Sequence, residues 1–353
     1  KRMGISEEVS EYKISTGKKV FDKERETEKL KSLTVLGDNE FNRIGIGELF
    51  EQIMAVSRKR QYQMLTEHGI YEKPDFAQIE ALDYHNAKIV FQGTEGAYSQ
   101  LALKEYFGHE TDSFHVETWR DAMEAIRKGE ADYAVLPIEN SSAGIVSENY
   151  DLLIEYDNCI VGEQIIPIEH ALLGLPEAEL SDITEVYSHP QALMQCGRYL
   201  ENHREWEKHS LKNTAVSACK VKEDAKKNQA AIASELTAEI YGLKVLDEKI
   251  QDSRTNATRF IIVTGKKVYT KAAQKISISF EIPHESGSLY RMLSHFIYNN
   301  LNMNRIESRP IEGRNWEYRF FIDFEGNLSD SAVKNALRGL RDEAQNLRIL
   351  GNY

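Results

Sequence analysis

The spacing of hydrophobic and polar positions changes along the chain. Residues 1–70 carry apolar residues at helical spacing, as in "GELFEQIMAVSRKRQYQMLTEHG", without the alternation typical of strands. Residues 71–87 are polar, contain Pro74 and lack a clear period, which indicates a linker. Residues 88–266 alternate short β-runs with helices, and this order predicts parallel strands joined by crossover helices. We therefore expect a helical segment, a linker and an α/β domain.

The pattern changes again over residues 275–353. The runs "KISISFEI", "NRIESRPI", "WEYRFFIDFEG" and "LRILGNY" predict strands, whereas "GSLYRMLSHFIYNN" and "SAVKNALRGLRDEA" predict helices. In chain order these elements give βαββαβ, the ferredoxin-like arrangement. The arrangement alone predicts no activity.

Length and composition exclude several classes of protein. A chain of 353 residues should divide into two or three domains. Its formal net charge of -12 disfavours nucleic acid or an anionic membrane as a general partner. No apolar run reaches the roughly 18 residues of a membrane span, and no signal peptide opens the chain, so we expect a cytosolic protein.

The cysteines and the first residues complete this picture. Cys159, Cys196 and Cys219 are widely spaced, which favours reduced thiols over a disulfide framework or a zinc site. The chain begins at Lys1, and residues 3–14 have the pattern of the end of a helix. We therefore expect the true start to be missing.

Strand-to-helix turns of the middle segment share one design. In "IVFQGTEGAYS", "AVLPIENSSAG", "VYSHPQALMQC" and "SLKNTAVSACK", small or polar residues separate an apolar strand from a helix. Such turns meet at the carboxyl edge of an open parallel sheet, where helix N-termini attract anions. The four turns together predict a cleft for an anion with more than one carboxylate. For any single turn, helix capping, with Pro190 at the first helical position, is the alternative.

The same segment resembles a known family. "YAVLPIENSSAGIVSENYDLL", "YSHPQALMQC" and "NATRF" resemble the signature stretches of prephenate dehydratase, and the resemblance covers residues 88–265. It implies a two-lobed α/β domain of the periplasmic-binding-protein-like kind that converts prephenate into phenylpyruvate, carbon dioxide and water. The catalytic positions implied by the resemblance are Thr258, Glu139, Asn140, Ser141, Ser188, Gln195, Thr214, Arg259 and Phe260.

The resemblance also suggests roles for individual residues. Thr258 would lie closest to the leaving hydroxyl, as a positioned hydrogen-bond donor, because threonine is a very weak acid. Arg259 would pair with a substrate carboxylate or serve as a structural ion-pair partner. A chemical role for His189 stays open, although the reaction needs no base to start it.

The helical segment contains a second candidate site. Asp22, Arg25 and Glu26 stand at i, i+3 and i+4, a spacing that predicts one common helix face. Ser57 and Gln61 stand one turn apart on a predicted buried stripe. Buried polar atoms need partners, so this stripe suggests a ligand site. Solvated charges with an internal hydrogen bond are the alternative.

The stretch "EYKISTGKKVFDKERETEKL" resembles the all-helical chorismate mutases. The matching positions are Arg2, Lys13, Asp22, Arg25, Glu26, Ser57 and Gln61. The resemblance implies a pericyclic rearrangement of chorismate to prephenate, assisted by compact binding and by charge stabilisation at the breaking ether bond. It would assign carboxylate clamping to the arginines, donation to the ether oxygen to the lysine and glutamine, and the ring hydroxyl to the glutamate. By this resemblance, we expect the first half of the family's opening helix, with its further arginine, to be missing from the sequence.

The C-terminal segment resembles the ACT-type regulatory domain that follows prephenate dehydratases and binds phenylalanine. The resemblance lies in "SGSLYRML" and "IESRP", with Ser288 where alanine is usual. The matching positions are Gly287, Ser288, Leu289, Asn302, Glu307, Ser308, Arg309 and Pro310. Such sites form between paired domains, so a homo-oligomer, dimer or tetramer, is expected. A dimerisation module without a ligand is the alternative.

These resemblances converge on the bifunctional chorismate mutase/prephenate dehydratase family of phenylalanine biosynthesis, with feedback by L-phenylalanine. Prephenate and chorismate are the expected substrates. We expect no metal, no organic cofactor, no nucleic acid and no membrane partner. The alternatives are a monofunctional dehydratase with a non-catalytic helical dimerisation segment and a non-catalytic two-lobed solute-binding sensor.

Overall fold

The computed structural model describes residues 2–71, 73–282 and 284–353, and the side chains from residue 4 onward within these ranges. The chain divides into two compact units. The first unit comprises Lys1–Glu80 together with Tyr269–Tyr353, and the second comprises Ala81–Val268. Among the described residues, no helix is both long enough and apolar enough to span a bilayer.

The helical segment of the first unit folds as the apolar periodicity predicts. Its helices are α1 Arg2–Thr16, α2 Lys23–Thr34 and α3 Glu40–Glu67. Asn39 caps α3 by accepting a hydrogen bond from the backbone N–H of Asn42 at 2.8 Å, which satisfies one of the donors that a helix start leaves unpaired. Val20, Tyr62 and Leu65 form the buried apolar cluster of this segment. A short strand, β1 Ala77–Ile79, follows in the predicted linker.

The prediction of one helix face for Asp22, Arg25 and Glu26 is wrong for Asp22. This residue is the N-cap of α2, with an extended backbone at φ -128°, and the helix begins one residue later. Its carboxylate accepts a hydrogen bond from the backbone N–H of Arg25 at 3.1 Å. Aspartate is a favoured N-cap residue, so local capping decides its position.

The second unit contains two lobes, each built on a sheet. The elements of the first lobe are β2 Ile89–Gln92, α4 Tyr98–Phe107, β3 Ser113–Val116, α5 Trp119–Lys128, β4 Tyr133–Asn140, β5 Gly144–Ile145, α6 Ser147–Tyr156 and β6 Cys159–Pro167. The second lobe and the returning strand contain β7 Ala171–Gly174, a 3-10 turn Leu180–Asp182, β8 Glu185–Ser188, α7 Pro190–Gln195, α8 Gly197–Glu201, β9 Glu207–Ser210, α9 Thr214–Asp224, β10 Gln229–Ala233, α10 Glu235–Tyr241, β11 Lys244–Asp247 and β12 Ala257–Thr264.

The parallel pairing predicted from the alternation is confirmed for the central strands of both lobes. In the first lobe the order is β6-β12-β4-β2-β3, and β2 is parallel to β3 and β4. In the second lobe the order is β11-β7-β10-β8-β9, and β8 is parallel to β9 and β10. Strands β6, β7, β11 and β12 form antiparallel pairs instead, because the chain leaves the first lobe after β6 and returns to it as β12.

Burial on both faces explains the continuous apolar runs of the second lobe. Leu172 and Ile232 belong to one buried cluster, whereas the neighbouring Leu173 and Ala231 belong to another. Successive side chains of a strand point to opposite faces of the sheet, so each face packs against its own layer. Within the described residues the cysteines are free thiols, as predicted.

The C-terminal segment of the first unit has the predicted βαββαβ order. After β13 Val268–Thr270, its elements are β14 Lys275–Glu281, α11 Ser288–Tyr298, β15 Met303–Pro310, β16 Tyr318–Glu325, α12 Ser331–Glu343 and β17 Gln345–Asn352. The antiparallel strands lie in the order β15-β16-β14-β17. Phe280, Phe296, Phe324 and Leu340 join the sheet to both helices in one buried cluster.

Candidate functional site

The four predicted turns lie at the carboxyl ends of parallel strands. They follow β2 and β4 in the first lobe and β8 and β9 in the second. Thr237, in the first turn of α10, donates from Oγ1 to the carbonyl oxygen of Gly96 at 2.8 Å. Gly96 has φ +85°, and a Cβ there would lie 3.2 Å from Thr237, so glycine permits this approach between the lobes.

Asn140 connects the end of β4 to the start of β12. Its Oδ1 accepts hydrogen bonds from the backbone N–H groups of Ser142 at 3.0 Å and Ala143 at 2.8 Å. Because backbone N–H groups only donate, these contacts fix the orientation of the amide. Its Nδ2 therefore faces Thr258 and donates to Oγ1 at 2.9 Å. Thr258 accepts this bond, and its own hydroxyl hydrogen remains available to another partner.

Asn256 completes this cluster, although sequence reasoning did not select it as a site residue. Its Oδ1 accepts from Asn140 Nδ2 at 3.0 Å and from Ser142 Oγ at 3.1 Å. The hydroxyl of Ser141 accepts from the backbone N–H of Ala257 at 3.0 Å. The motif "NATRF" contained Asn256, so its position inside a recognised motif was the available signal.

Arg259 lies between two carboxylates on the neighbouring strands. Its Nη1 lies 3.2 Å from Glu163 Oε2, and its Nε lies 3.6 Å from Glu139 Oε2. The Arg259 side chain is 14% exposed. These contacts favour the structural ion-pair alternative for Arg259, because its charge is already balanced where it lies.

Two of the predicted catalytic residues, Ser188 and Phe260, are buried in the interior of the second unit. Phe260 belongs to the buried apolar cluster of the first lobe, beside Phe91 and Ile262. Ser188 is 0% exposed, and its hydroxyl donates to the carbonyl oxygen of Ile232 at 2.6 Å. At these positions both residues stabilise the strands that precede or carry the turns. A direct role for either in catalysis stays a prediction.

Gln195 belongs to a buried hydrogen-bonded chain that sequence reasoning missed. Its Oε1 lies 2.9 Å from His170 Nε2, and His170 Nδ1 lies 3.0 Å from the hydroxyl of Tyr98. Burial lowers the pKa of His170 against the opposing effect of the Gln195 hydrogen bond. This chain joins α4 of the first lobe to α7 of the second, and no local pattern around Tyr98 or His170 indicated it.

The remaining turn residues lie at helix starts. His189 caps α7, and its Nδ1 accepts from the backbone N–H of Gln191 at 3.2 Å. Burial lowers the pKa of His189, which favours the neutral ring that such a cap requires. Thr214 is the first residue of α9, directly after Asn213, whose side chain caps that helix by accepting from Val216 N–H at 2.7 Å.

In the helical segment, some of the predicted mutase residues form hydrogen bonds with other groups of the protein. Lys13 Nζ donates to the carbonyl oxygen of Val20 at 2.8 Å, and burial lowers the pKa of Lys13. Gln61 is 5% exposed, and its Nε2 donates to Ser57 Oγ at 3.2 Å. Gln61 Oε1 is buried without a hydrogen-bond partner among the described residues. A buried acceptor of this kind suits a ligand that can donate to it.

Glu26 has a partner that the sequence did not indicate. Its carboxylate forms an ion pair with Arg58 of α3, and burial raises the pKa of Glu26 against the opposing effect of this arginine. Arg25 is exposed beside it. The side chain of Arg2 lies outside the described part of the structure, so its predicted role has no structural test.

A cavity of about 440 Å³ lies at the predicted regulatory turn. Its lining includes Gly287, Ser288 and Leu289 together with the aromatic side chains of Trp316 and Phe320. Gly287 has φ +78° and is the N-cap of α11, so the backbone at this turn adopts a conformation that favours glycine. An apolar side chain with a charged amino acid head group would match this lining.

The other predicted regulatory residues lie along β15 and at its start. Ser308 and Pro310 pair with Phe320 and Tyr318 on β16, and both of these aromatic residues line the same cavity. Asn302 precedes the strand and donates from Nδ2 to Glu325 Oε1 at 2.8 Å. Glu307 and Arg309 also lie on β15. Of the predicted regulatory residues, the cavity is lined directly only by Gly287, Ser288 and Leu289.

Comparison with known proteins decides the family. The prephenate dehydratase family model matches residues 89–268, and the chorismate mutase type II model matches residues 1–62. The bifunctional chorismate mutase/prephenate dehydratase of Escherichia coli K12 is 32% identical over 359 aligned positions, covering 100% of this chain and 90% of the relative. The chain belongs to the bifunctional chorismate mutase/prephenate dehydratase family. The two activities inferred from the sequence resemblance are thereby confirmed at the level of the family.

Two solved structures are similar to three quarters of the chain. A prephenate dehydratase from Arthrobacter aurescens, in complex with L-Phe, matches with a TM-score of 0.70 and 34% identity, covering 75% of this chain and 89% of that one. GqqA, described as a novel type of quorum quenching acylase, matches with a TM-score of 0.70 and 32% identity, covering 75% of this chain and 97% of that one. Among the described residues, no group of three or more metal-ligating side chains could hold a metal ion.

Proposed function

We propose that the second unit converts prephenate into phenylpyruvate, carbon dioxide and water in the cytosol, with Thr258 as the donor to the departing hydroxyl. The single observation that carries this assignment is the hydrogen bond from Asn140 Nδ2 to Thr258 Oγ1 at 2.9 Å. Since Asn140 can only donate through Nδ2, the hydroxyl of Thr258 is free to donate to the substrate. Family membership supports the reaction, and the fixed amide supports the role of this residue.

The chemistry requires little more than orientation and one well-placed donor. Loss of carbon dioxide and of the ring hydroxyl makes the ring aromatic, which supplies the driving force. The protein then needs to hold the dianion and stabilise the negative charge that develops on the leaving oxygen. Thr258 is 8% exposed, so a hydrogen bond from its hydroxyl would act where water is largely excluded.

The substrate carboxylates require positive partners other than Arg259, whose charge Glu139 and Glu163 already balance. We assign them to backbone N–H groups at the starts of α4 and α9, which follow the turns at the carboxyl edges. The positive ends of these helix dipoles suit an anion. Helix α7 is left out of this assignment, because Pro190 has no backbone N–H and the N–H of Gln191 already donates to His189 Nδ1.

A turnover assay tests this function directly. Purified protein should convert prephenate into phenylpyruvate, which is detected by its absorbance in alkali. Protein that binds prephenate with no release of phenylpyruvate would instead support the alternative of a non-catalytic two-lobed sensor.

We assign the rearrangement of chorismate to prephenate to the helical segment, with Lys13, Glu26 and Gln61 as the polar groups that meet the substrate. The buried and unpaired Oε1 of Gln61 and the proximity of Lys13 to α2 support this assignment. Ser57 holds the Gln61 amide through its hydroxyl. Loss of chorismate absorbance on addition of the full-length protein tests it. No loss would favour the alternative of a non-catalytic dimerisation segment.

We assign L-phenylalanine binding to the cavity at Gly287, in a homo-oligomer of ACT-type domains. The aromatic lining from Trp316 and Phe320 and the glycine turn support an amino acid with an aromatic side chain. The L-Phe complex of the Arthrobacter aurescens relative supports the same ligand. Isothermal titration with L-phenylalanine, with L-leucine as the comparison, tests the assignment, and light scattering gives the oligomeric state.

A further inference from the structure

Arg58 lies between carboxylates from two segments that are far apart in sequence. Its Nη1 forms an ion pair with Glu26 of α2, and its Nη2 lies 3.1 Å from Glu343 Oε1 at the end of α12. Its Nε also donates to the same Glu343 oxygen at 3.2 Å. Arg58 is 5% exposed. A guanidinium with five donors in a rigid fork is thus shared between one carboxylate of the mutase site and one of the C-terminal segment.

The position of Glu343 depends on the packing of α11 against α12. His295 of α11 lies with Nε2 at 3.3 Å from Glu343 Oε1. Its ring fits there because position 339 on α12 is glycine, where a Cβ would lie 2.3 Å from the ring. The same oxygen of Glu343 therefore lies close to both Arg58 and His295.

Further contacts hold α3 to the same pair of helices. Lys59 Nζ donates to Ser294 Oγ of α11 at 2.8 Å, and the hydroxyl of Tyr62 donates to Asp342 Oδ2 of α12 at 2.7 Å. Asp342 is adjacent to Glu343 and also contacts α3, but it accepts its hydrogen bond from Tyr62 rather than from Arg58. This difference supplies a matched comparison within one interface.

We propose that Arg58 and Glu343 are positioning residues for the mutase reaction, so that the C-terminal helices set the rate of the mutase site. Glu343 holds the guanidinium in place and keeps it from closing fully onto Glu26. The Glu26 carboxylate then keeps an oxygen for the ring hydroxyl of the substrate. This inference rests on the proposed mutase function and on the proposed role of Glu26 within it.

Removing the charge of Glu343 should disturb Glu26 without touching the substrate. With a glutamine at position 343, Glu26 would be the only negatively charged partner of Arg58 in this group. Arg58 would then shift toward Glu26 and occupy both of its oxygens, since bidentate pairing with a carboxylate is the preferred geometry of arginine. The kcat of the mutase would fall more than its affinity for chorismate. The arginines predicted to bind the substrate carboxylates do not take part in this change.

The test uses the full-length protein and its two activities. Glu343→Gln should lower the mutase kcat by about tenfold or more, since small displacements of catalytic groups cost this much. The KM for chorismate and the kcat/KM for prephenate should stay within about twofold of wild type. Glu343→Asp, which keeps the charge, should recover part of the loss, and Asp342→Asn should leave both activities near wild type.

The outcomes separate the inference from the function on which it rests. An inactive Glu26→Gln variant together with a fully active Glu343→Gln variant would overturn the inference alone. Equal losses of both activities in Glu343→Gln and Asp342→Asn, with equal losses of thermal stability, would also overturn it, because that pattern indicates a damaged interface. A wild-type protein without mutase activity, or an active Glu26→Gln variant, would overturn the proposed role of Glu26 and this inference with it.

Discussion

The Nδ2 atom of Asn140 donates to the Oγ1 atom of Thr258 at 2.9 Å, across the pair of strands β4 and β12. The backbone N–H groups that bind the other end of the amide make this direction of donation unambiguous. A hydroxyl that accepts from a fixed donor has its own hydrogen left for a ligand. Under the proposed function, dehydratase activity would therefore depend on the types and the orientations of both side chains.

Asn140→Asp should therefore inactivate the dehydratase at almost constant side-chain volume. A carboxylate at this position would still accept from the turn, but it would also accept from Thr258 and so remove the donor from the substrate. We expect kcat for prephenate to fall by about 100-fold, the typical loss for one donor to a developing oxyanion. Ser142→Ala, which removes only a bond to Asn256, is the matched control and should stay within a few-fold of wild type. Retained turnover in the aspartate variant would show that the direction of the bond is unimportant.

Arg58 and Arg60 provide a comparison of a buried and an exposed ion pair on one helix. Arg58→Met leaves the carboxylates of Glu26 and Glu343 without their shared cation, and breaking a buried pair in this way costs about 3 to 5 kcal/mol. Arg60→Met breaks the more exposed pairs with Glu7 and Glu67 and should cost at most about 1 kcal/mol. Urea unfolding of both variants measures the difference. Equal losses would mean that water reaches Arg58 as readily as it reaches Arg60.

The helices and strands of the chain were predictable where the local pattern of apolar and polar residues is distinct. The parallel centres of both lobes follow from alternating β-runs and helices, and the βαββαβ segment follows from its order of apolar runs. The antiparallel return of β12 between β4 and β6 was not predictable, because strand pairing depends on where the chain crosses between lobes. Asp22 misled the helical prediction because its spacing to Arg25 and Glu26 is shared by a helix face and an N-cap.

The candidate sites show the same limit. Asn140 and Thr258 lie in motifs that the sequence displays, and the structure brings them into contact. The ion pair of Arg58 with Glu343 joins residues 285 positions apart. The spacing of residues within α3 or α12 does not predict such a contact. Burial likewise separates Ser188 and Phe260 from residues such as Thr214 that lie at helix starts, although all of them occur in motifs of the same kind.

Gly287→Ala should weaken the binding of L-phenylalanine. Gly287 has φ +78°, where a Cβ is unfavourable by about 1 to 2 kcal/mol, and the added methyl would also project at the turn that lines the proposed L-phenylalanine cavity. We expect the Kd from isothermal titration to rise by about tenfold or more. Gly129→Ala is the control, because Gly129 has φ +72° with open space around it, at the end of α5. An unchanged Kd in Gly287→Ala would remove phenylalanine from this turn.

Lys59 should make the stability of the protein depend on pH in the alkaline range. Burial lowers the pKa of Lys59 from 10.5 to about 8, so between these values the unfolded chain binds a proton that the folded chain does not. Stability from this group therefore rises as pH increases from about 8 to about 10. Lys59→Met should lack this contribution, whereas Lys23→Met, at an exposed position, should behave as wild type. Urea midpoints across this pH range give the measurement, and parallel curves for wild type and Lys59→Met would contradict the burial argument.

The most direct measurement is prephenate turnover by Thr258→Val and Thr258→Ser, with circular dichroism to verify the fold. Valine has nearly the volume of threonine but no hydroxyl, whereas serine keeps the donor. The account predicts a loss of about 100-fold or more in kcat/KM for the valine variant and a much smaller loss for the serine variant. Turnover at the wild-type rate by correctly folded Thr258→Val would contradict it.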